Sequence, residues 1–113
     1  MDSPAAIDAL GALAHEHRLA IFRLLIQAGP QGVAAGDIAL ALGIPSSSLS
    51  FHLGQLSKAR LVTQERQHRS IIYRADYAAM SALVGFLMEN CCGGGSACEP
   101  AFACDDQAER VTL

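Results

Sequence analysis

The chain has 113 residues, 51% of them hydrophobic and only 17% charged; this is the size of one domain, with more apolar surface than so small a body can bury alone, and a second copy is the expected cover. A formal net charge of −3 would by itself argue against a nucleic-acid partner, but residues 45–75 carry Lys58, Arg60, Arg66, Arg69 and Arg74 against Glu65 (net +4), while residues 76–113 carry six acids against Arg110 (net −5). No apolar run approaches the ~20 residues of a membrane span, and Met1-Asp2-Ser3-Pro4 has neither the basic flank nor the apolar stretch of a signal peptide, so a cytoplasmic protein is expected.

Ser3-Pro4 is a helix-start signal, and Ile7, Leu10 and Leu13 follow at helical spacing. A second helix is expected over 16–28, with Leu19, Phe22, Leu25 and Ile26 on one stripe and Gly29-Pro30 as its stop. A short third helix, 34–42, pairs Ile38 with Leu42 and ends at Gly43. After Ile44-Pro45, Ser46, Ser47 and Ser48 offer capping hydroxyls, Ser46 above all, and Leu49, Leu53 and Leu56 mark the inner face of a fourth helix running to about Ala59. Its other face is read as Ser47, Ser48, Ser50, His52, Gln55 and Lys58, small or polar and free of acids.

From Leu61 the period changes to two. Val62–Arg66 and Ser70–Arg74 are expected strands, joined through Gln67-His68-Arg69 into a hairpin whose tip lacks the usual Gly or Asn. The last helix, 77–88, carries Met80, Leu83, Val84, Phe86, Leu87 and Met88 around most of its circumference, so it and the first helix are the expected dimer interface. The predicted architecture is mainly α with a small β-hairpin wing: a winged helix-turn-helix of five helices and two strands, homodimeric. Residues 1–90 are expected to form a DNA-binding and dimerisation domain, and residues 91–113 a cysteine-rich, largely irregular sensor tail.

His17-Arg18-Leu19-Ala20-Ile21-Phe22-Arg23-Leu24-Leu25, Asp37–Ile44, and above all Leu49-Ser50-Phe51-His52-Leu53-Gly54-Gln55-Leu56 with Leu61-Val62 resemble the arsenical-resistance repressor (ArsR/SmtB) family over roughly residues 5–90. The resemblance implies a homodimer on a palindromic operator in double-stranded DNA, with half-sites about one DNA turn apart. It also implies that Ser47, Ser48, Ser50, His52 and Gln55 face the groove and that Arg66, His68 and Arg69 serve the wing. Arg18 and Arg23 read as structural or interface residues. His15 and His17, two apart on a helix, are not expected to face each other or to bind metal.

All four cysteines fall between residues 91 and 104. In a reducing compartment such a cluster points to ligands or redox groups rather than structural disulfides. Cys91 and Cys92 on one helix would project ~100° apart, so the helix is expected to end there, with Gly93–Gly95 letting Cys98 fold back onto the pair. Three thiolates without a nearby His select a soft ion. Cys91, Cys92 and Cys98 are therefore the expected metal site for As(III) or Sb(III) as inducer, with Cys104 a candidate fourth ligand or a spare thiol. No cofactor is expected to be required for DNA binding. The chain departs from the family's commoner arsenite pattern, since 33–42 contains no cysteine, and from its zinc pattern, since the last helix has no histidine. Two alternatives of the same fold remain open, a thiol-redox sensor and a cadmium, lead or zinc sensor. An enzyme is not expected, because these cysteines follow a helix C-terminus, whose dipole raises thiol pKa.

Overall fold

Asp2, rather than Ser3, starts the first helix of the computed structural model, which describes residues 1–94. Its carboxylate accepts the Ala5 N–H at 3.0 Å, and Pro4 lies in the first turn of α1 (Ser3–Leu13), where its missing N–H costs nothing. The inward face of α1 is Ala6, Ala9 and Ala12, whose small side chains let the helix lie close on its neighbours, while Ile7 is 67% exposed. In α2 (Glu16–Ala28), Ile21, Phe22 and Leu25 enter the core, and Leu19, expected on that stripe, is exposed. The helix stops at Gly29 with φ +84°, followed by Pro30.

β1 (Val33–Ala34) is a strand too short to leave a period-two signal in the sequence. It leads directly into α3 (Ala35–Leu42), which ends at Gly43 in the left-handed conformation, the Gly43 N–H bonded to the Ala39 carbonyl. At the start of α4 (Ser46–Lys58) the cap position is Pro45 and no side chain caps the helix. Ser46 therefore lies within the first turn and is not the cap the serine run suggests. Leu49, Leu53 and Leu56 are buried as their spacing requires. The helix ends with Arg60 at φ +64°, where the Arg60 N–H bonds Ser57 O and the Leu61 N–H bonds Leu56 O, each at 3.0 Å, the reciprocal pairing of a Schellman end.

β2 (Val62–Gln67) and β3 (Ser70–Ala75) pair antiparallel from Val62↔Ala75 to Gln67↔Ser70, leaving a two-residue loop, His68-Arg69, with His68 at φ +56°. β1 adds to the other edge of β3 with Val33 opposite Tyr73, so the sheet order is β1-β3-β2. α5 (Tyr77–Leu87) is capped by Asp76, whose carboxylate accepts the Ala79 N–H at 3.0 Å. Within one chain only Leu83 of this helix is buried, and Leu87 is 56% exposed. A short turn of helix, α6 (Cys91–Gly94), follows where irregular chain is expected. The described residues thus hold the five expected helices and the hairpin, with β1 and α6 in addition. None of these helices is long and apolar enough to cross a membrane.

Candidate nucleic-acid interface

α4 separates its faces by angle. Leu49, Leu53 and Leu56 point into the core, and Ser47, Ser50, Phe51, Gly54 and Lys58 form the exposed stripe on the opposite side. Of the residues expected on that stripe, Ser47 and Ser50 are exposed and Ser48 is half-buried. Gln55, also half-buried, lines a groove of about 410 Å³ against α1 with Ile7, Asp8, Gly11 and Ala12. His52 is a correction: it is only 7% exposed and does not share the open face. At ~100° per residue it lies about 140° around the helix from Ser47, beside Leu49 and Leu56, so its polarity rather than its angle suggested exposure. The same bias hid Phe51 and Gly54, which stand within about 40° of Ser47.

The hairpin supplies the cationic part. Arg66, His68 and Arg69 are all exposed on its outer half, where only Val62 of β2 is buried. Arg74 is occupied elsewhere. Its Nε donates to the Pro30 carbonyl at 2.8 Å and its Nη1 pairs with Glu65 at 2.8 Å, so it fastens the hairpin base to the loop after α2. The ion pair is partly solvated and contributes at most about 1 kcal/mol.

His52 is held from behind by α2. Arg18 donates from Nε to the Ala12 carbonyl and stands with Nη1 3.5 Å from His52 Nδ1, so it joins the end of α1 to α4 in the structural role expected of it. A bond from Arg18 requires His52 Nδ1 to be unprotonated. His15 caps α2, its Nδ1 accepting the His17 N–H at 3.0 Å, and thus lies outside the regular helix. That geometry overturns the expectation for the pair: the His15 and His17 rings are 5.4 Å apart, and both lie against His52, at 4.6 and 5.4 Å. Among the described residues no group of three or more His, Cys, Asp or Glu could hold a metal ion. Here the ring nitrogens of His15 and His52 that accept hydrogen bonds are already engaged, and Arg18 adds positive charge.

Burial first, and then the neighbouring His15, Arg18 and His17, hold the His52 pKa below its ordinary 6.5. The unfolded chain therefore binds more protons than the folded one as pH falls through 6.5, and stability present above that value is lost toward the lower folded pKa. Thermal unfolding at pH 7.5 and 5.5 should show the wild type losing stability on acidification and His52→Gln, which takes up no proton, losing less. Equal losses would remove His52 as the cause.

At the far end of the domain, α5 stops at Leu87, earlier than the cysteine pair, and the Cys91 N–H bonds the Met88 carbonyl at 2.9 Å. Cys91 is half-buried and a free thiol, and Cys92 is exposed, at φ +58°, and disulfide-bonded. Their sulfurs are 3.3 Å apart, so the pair does not diverge as it would on a continuous helix. Cys98 and Cys104 lie outside the described residues.

Residues 13–65, from the end of α1 to the middle of β2, match a family model described as a helix-turn-helix domain. The nodulation protein NolR of Rhizobium meliloti is 31% identical over 88 residues, covering 78% of this chain and 70% of that protein. An ArsR-like transcriptional regulator from Rhodococcus sp. RHA1 superposes with a TM-score of 0.68 at 26% identity, over 76% of this chain and 78% of that one. The homodimeric winged helix-turn-helix DNA-binding domain of Mb0332 from Mycobacterium bovis, described as a possible ArsR-family transcriptional regulator, gives a TM-score of 0.61 at 31% identity, over 77% and 81% of the two chains. The chain belongs to the ArsR family of winged helix-turn-helix transcriptional regulators. In this ArsR-family protein α3 and α4 are the helix-turn-helix pair, joined through the left-handed Gly43, and β2 with β3 is the wing. Relatives that carry a functional description, YgaV of Escherichia coli and the Rhodococcus protein among them, are described as transcriptional regulators rather than enzymes.

Proposed function

We propose that this protein is a homodimeric repressor that binds a palindromic operator through α4 and the wing and lets go when arsenite or antimonite is captured by Cys91, Cys92 and Cys98. The observation that carries the sensing half is the sulfur pair beside the end of α5. Two thiolates bound to one ion at about 2.3 Å stand roughly 3.3–3.8 Å apart, and the Cys91 and Cys92 sulfurs are separated by 3.3 Å. Capture requires Cys92 in its reduced form. Three sulfurs without a nearby histidine favour a thiophilic trivalent metalloid over zinc. Dimerisation is supported by the homodimeric relative and by the outward Ile7, Leu10 and Leu87 of α1 and α5, which a second copy would cover. A site adjoining the dimerising helix could shift the spacing of two reading heads, and a coupling of ~1–3 kcal/mol suffices to lower affinity roughly 5- to 150-fold.

The disulfide at Cys92 favours a second reading, release by thiol oxidation. A gel shift on DNA from next to the protein's own gene separates the two when titrated with arsenite, antimonite, cadmium and zinc under a strong phosphine reductant, and with peroxide in its absence. Arsenite release that persists in reductant and disappears in Cys98→Ser supports the metalloid reading. An unchanged complex, or a Cys98→Ser variant that responds like wild type, refutes the proposed site. Release by peroxide alone transfers the function to oxidation.

A further inference from the structure

The exposed stripe of α4 contains one group that its polar character does not explain. Phe51 is 60% exposed, with Ser47 one turn before it, Ser50 adjacent and Gly54 one turn after. Three of these four positions carry a hydroxymethyl group or nothing, so the phenyl ring projects well beyond them. On the exposed stripe of α4 itself it is the one large apolar side chain among the described residues. A Cβ added at Gly54 would meet nothing within 4 Å, so the glycine relieves no contact inside the chain and leaves the helix surface bare beside the ring. The ring is also braced, edge-on, by His52 at 5.6 Å with an interplanar angle of 65°, and His52 is itself held by Arg18.

We propose that Phe51 reads sequence by packing on the 5-methyl group of a thymine in the major groove. The inference rests on the operator-binding reading above and names the base feature that α4 recognises. A major groove admits one helix and displays donors and acceptors on every base pair, and its one methyl group belongs to thymine, to which apolar side chains are matched. Ser47 and Ser50 bond either donors or acceptors and discriminate weakly, so the specificity of the stripe concentrates on the ring beside them. The bare surface at Gly54 allows the helix to approach closely enough for that contact.

The test is a thymine-to-deoxyuridine scan of the operator fragment, one position per half-site at a time, at fixed salt, since affinity depends on salt. Wild-type protein should lose about fourfold in affinity per methyl removed at one thymine in each half-site, the equivalent of about 0.8 kcal/mol for one buried carbon. Phe51→Ala should bind the unmodified operator more weakly and be indifferent to deoxyuridine at that position, while Phe51→Leu should keep part of the sensitivity. The ring is exposed, so unchanged circular dichroism and melting temperature in both variants will confirm that the fold is intact. Wild type that binds the operator yet is indifferent to every substitution overturns the Phe51 assignment alone, as does Phe51→Ala retaining the wild-type pattern. No binding to the fragment at all would overturn the operator reading beneath it.

Discussion

Gly32→Ala is expected to destabilise the protein by about 2–4 kcal/mol, with a melting temperature lower by roughly 10–25 °C. Gly32 has φ +75°, where an L side chain is strained, and the added Cβ would lie 2.6 Å from the Tyr73 carbonyl oxygen, 2.7 Å from Arg74 Cγ and 2.8 Å from Ile72 Cγ2. Side chains could shift, but the Tyr73 backbone is fixed from both sides, opposite Val33 of β1 and Gln64 of β2. Relief would have to come from displacing the 29–34 loop, which would also disturb the Arg74 bond to Pro30. Calorimetry at one protomer concentration checks the value, since association would otherwise contribute to the melting point. A fall of only two or three degrees would mean that the loop yields freely.

Leu56→Ala should cost about 2–5 kcal/mol, a large share of the roughly 5–15 kcal/mol available to a domain of this size. Leu56 is fully buried at the end of the inner face formed by Leu49 and Leu53, and its carbonyl accepts the Leu61 N–H that closes the helix. The truncation leaves an unfilled volume where α4 meets the wing, so the helix loses the packing that sets its direction. Urea unfolding should show a lower midpoint with an unchanged slope. A midpoint within experimental scatter of wild type would show that the core closes around the smaller side chain.

The elements were legible where a period or a terminator recurs. The inner leucines of α4 follow from spacing and the stop of α3 from its glycine, and the structure places both accordingly; the two hairpin strands form where expected, but their burial does not alternate. Residue chemistry is a poorer guide to position than helical angle. His52 is polar yet buried and Phe51 apolar yet exposed, although helical angle places both correctly. His15 is a different case. Its capping role removes it from the helix, and no pairwise spacing rule could bring it beside His17 and His52. β1 is two residues long and arises from pairing with β3, a partner about forty residues away, so no local pattern encodes it. On the tail, the early end of α5 and the positive φ at Cys92 bring together two sulfurs that an uninterrupted helix would have held apart.

The small strand β1 bears on how such a regulator can be controlled. It bonds to the wing through β3 and runs without a break into α3, while Arg74 fastens the same wing to the loop after α2. β1 and Arg74 therefore tie the wing to α3, the first helix of the helix-turn-helix pair, and to the loop before it. Under the proposed sensing, a signal from the cysteine end would then move wing and α3 together, as calipers change their span without bending their points.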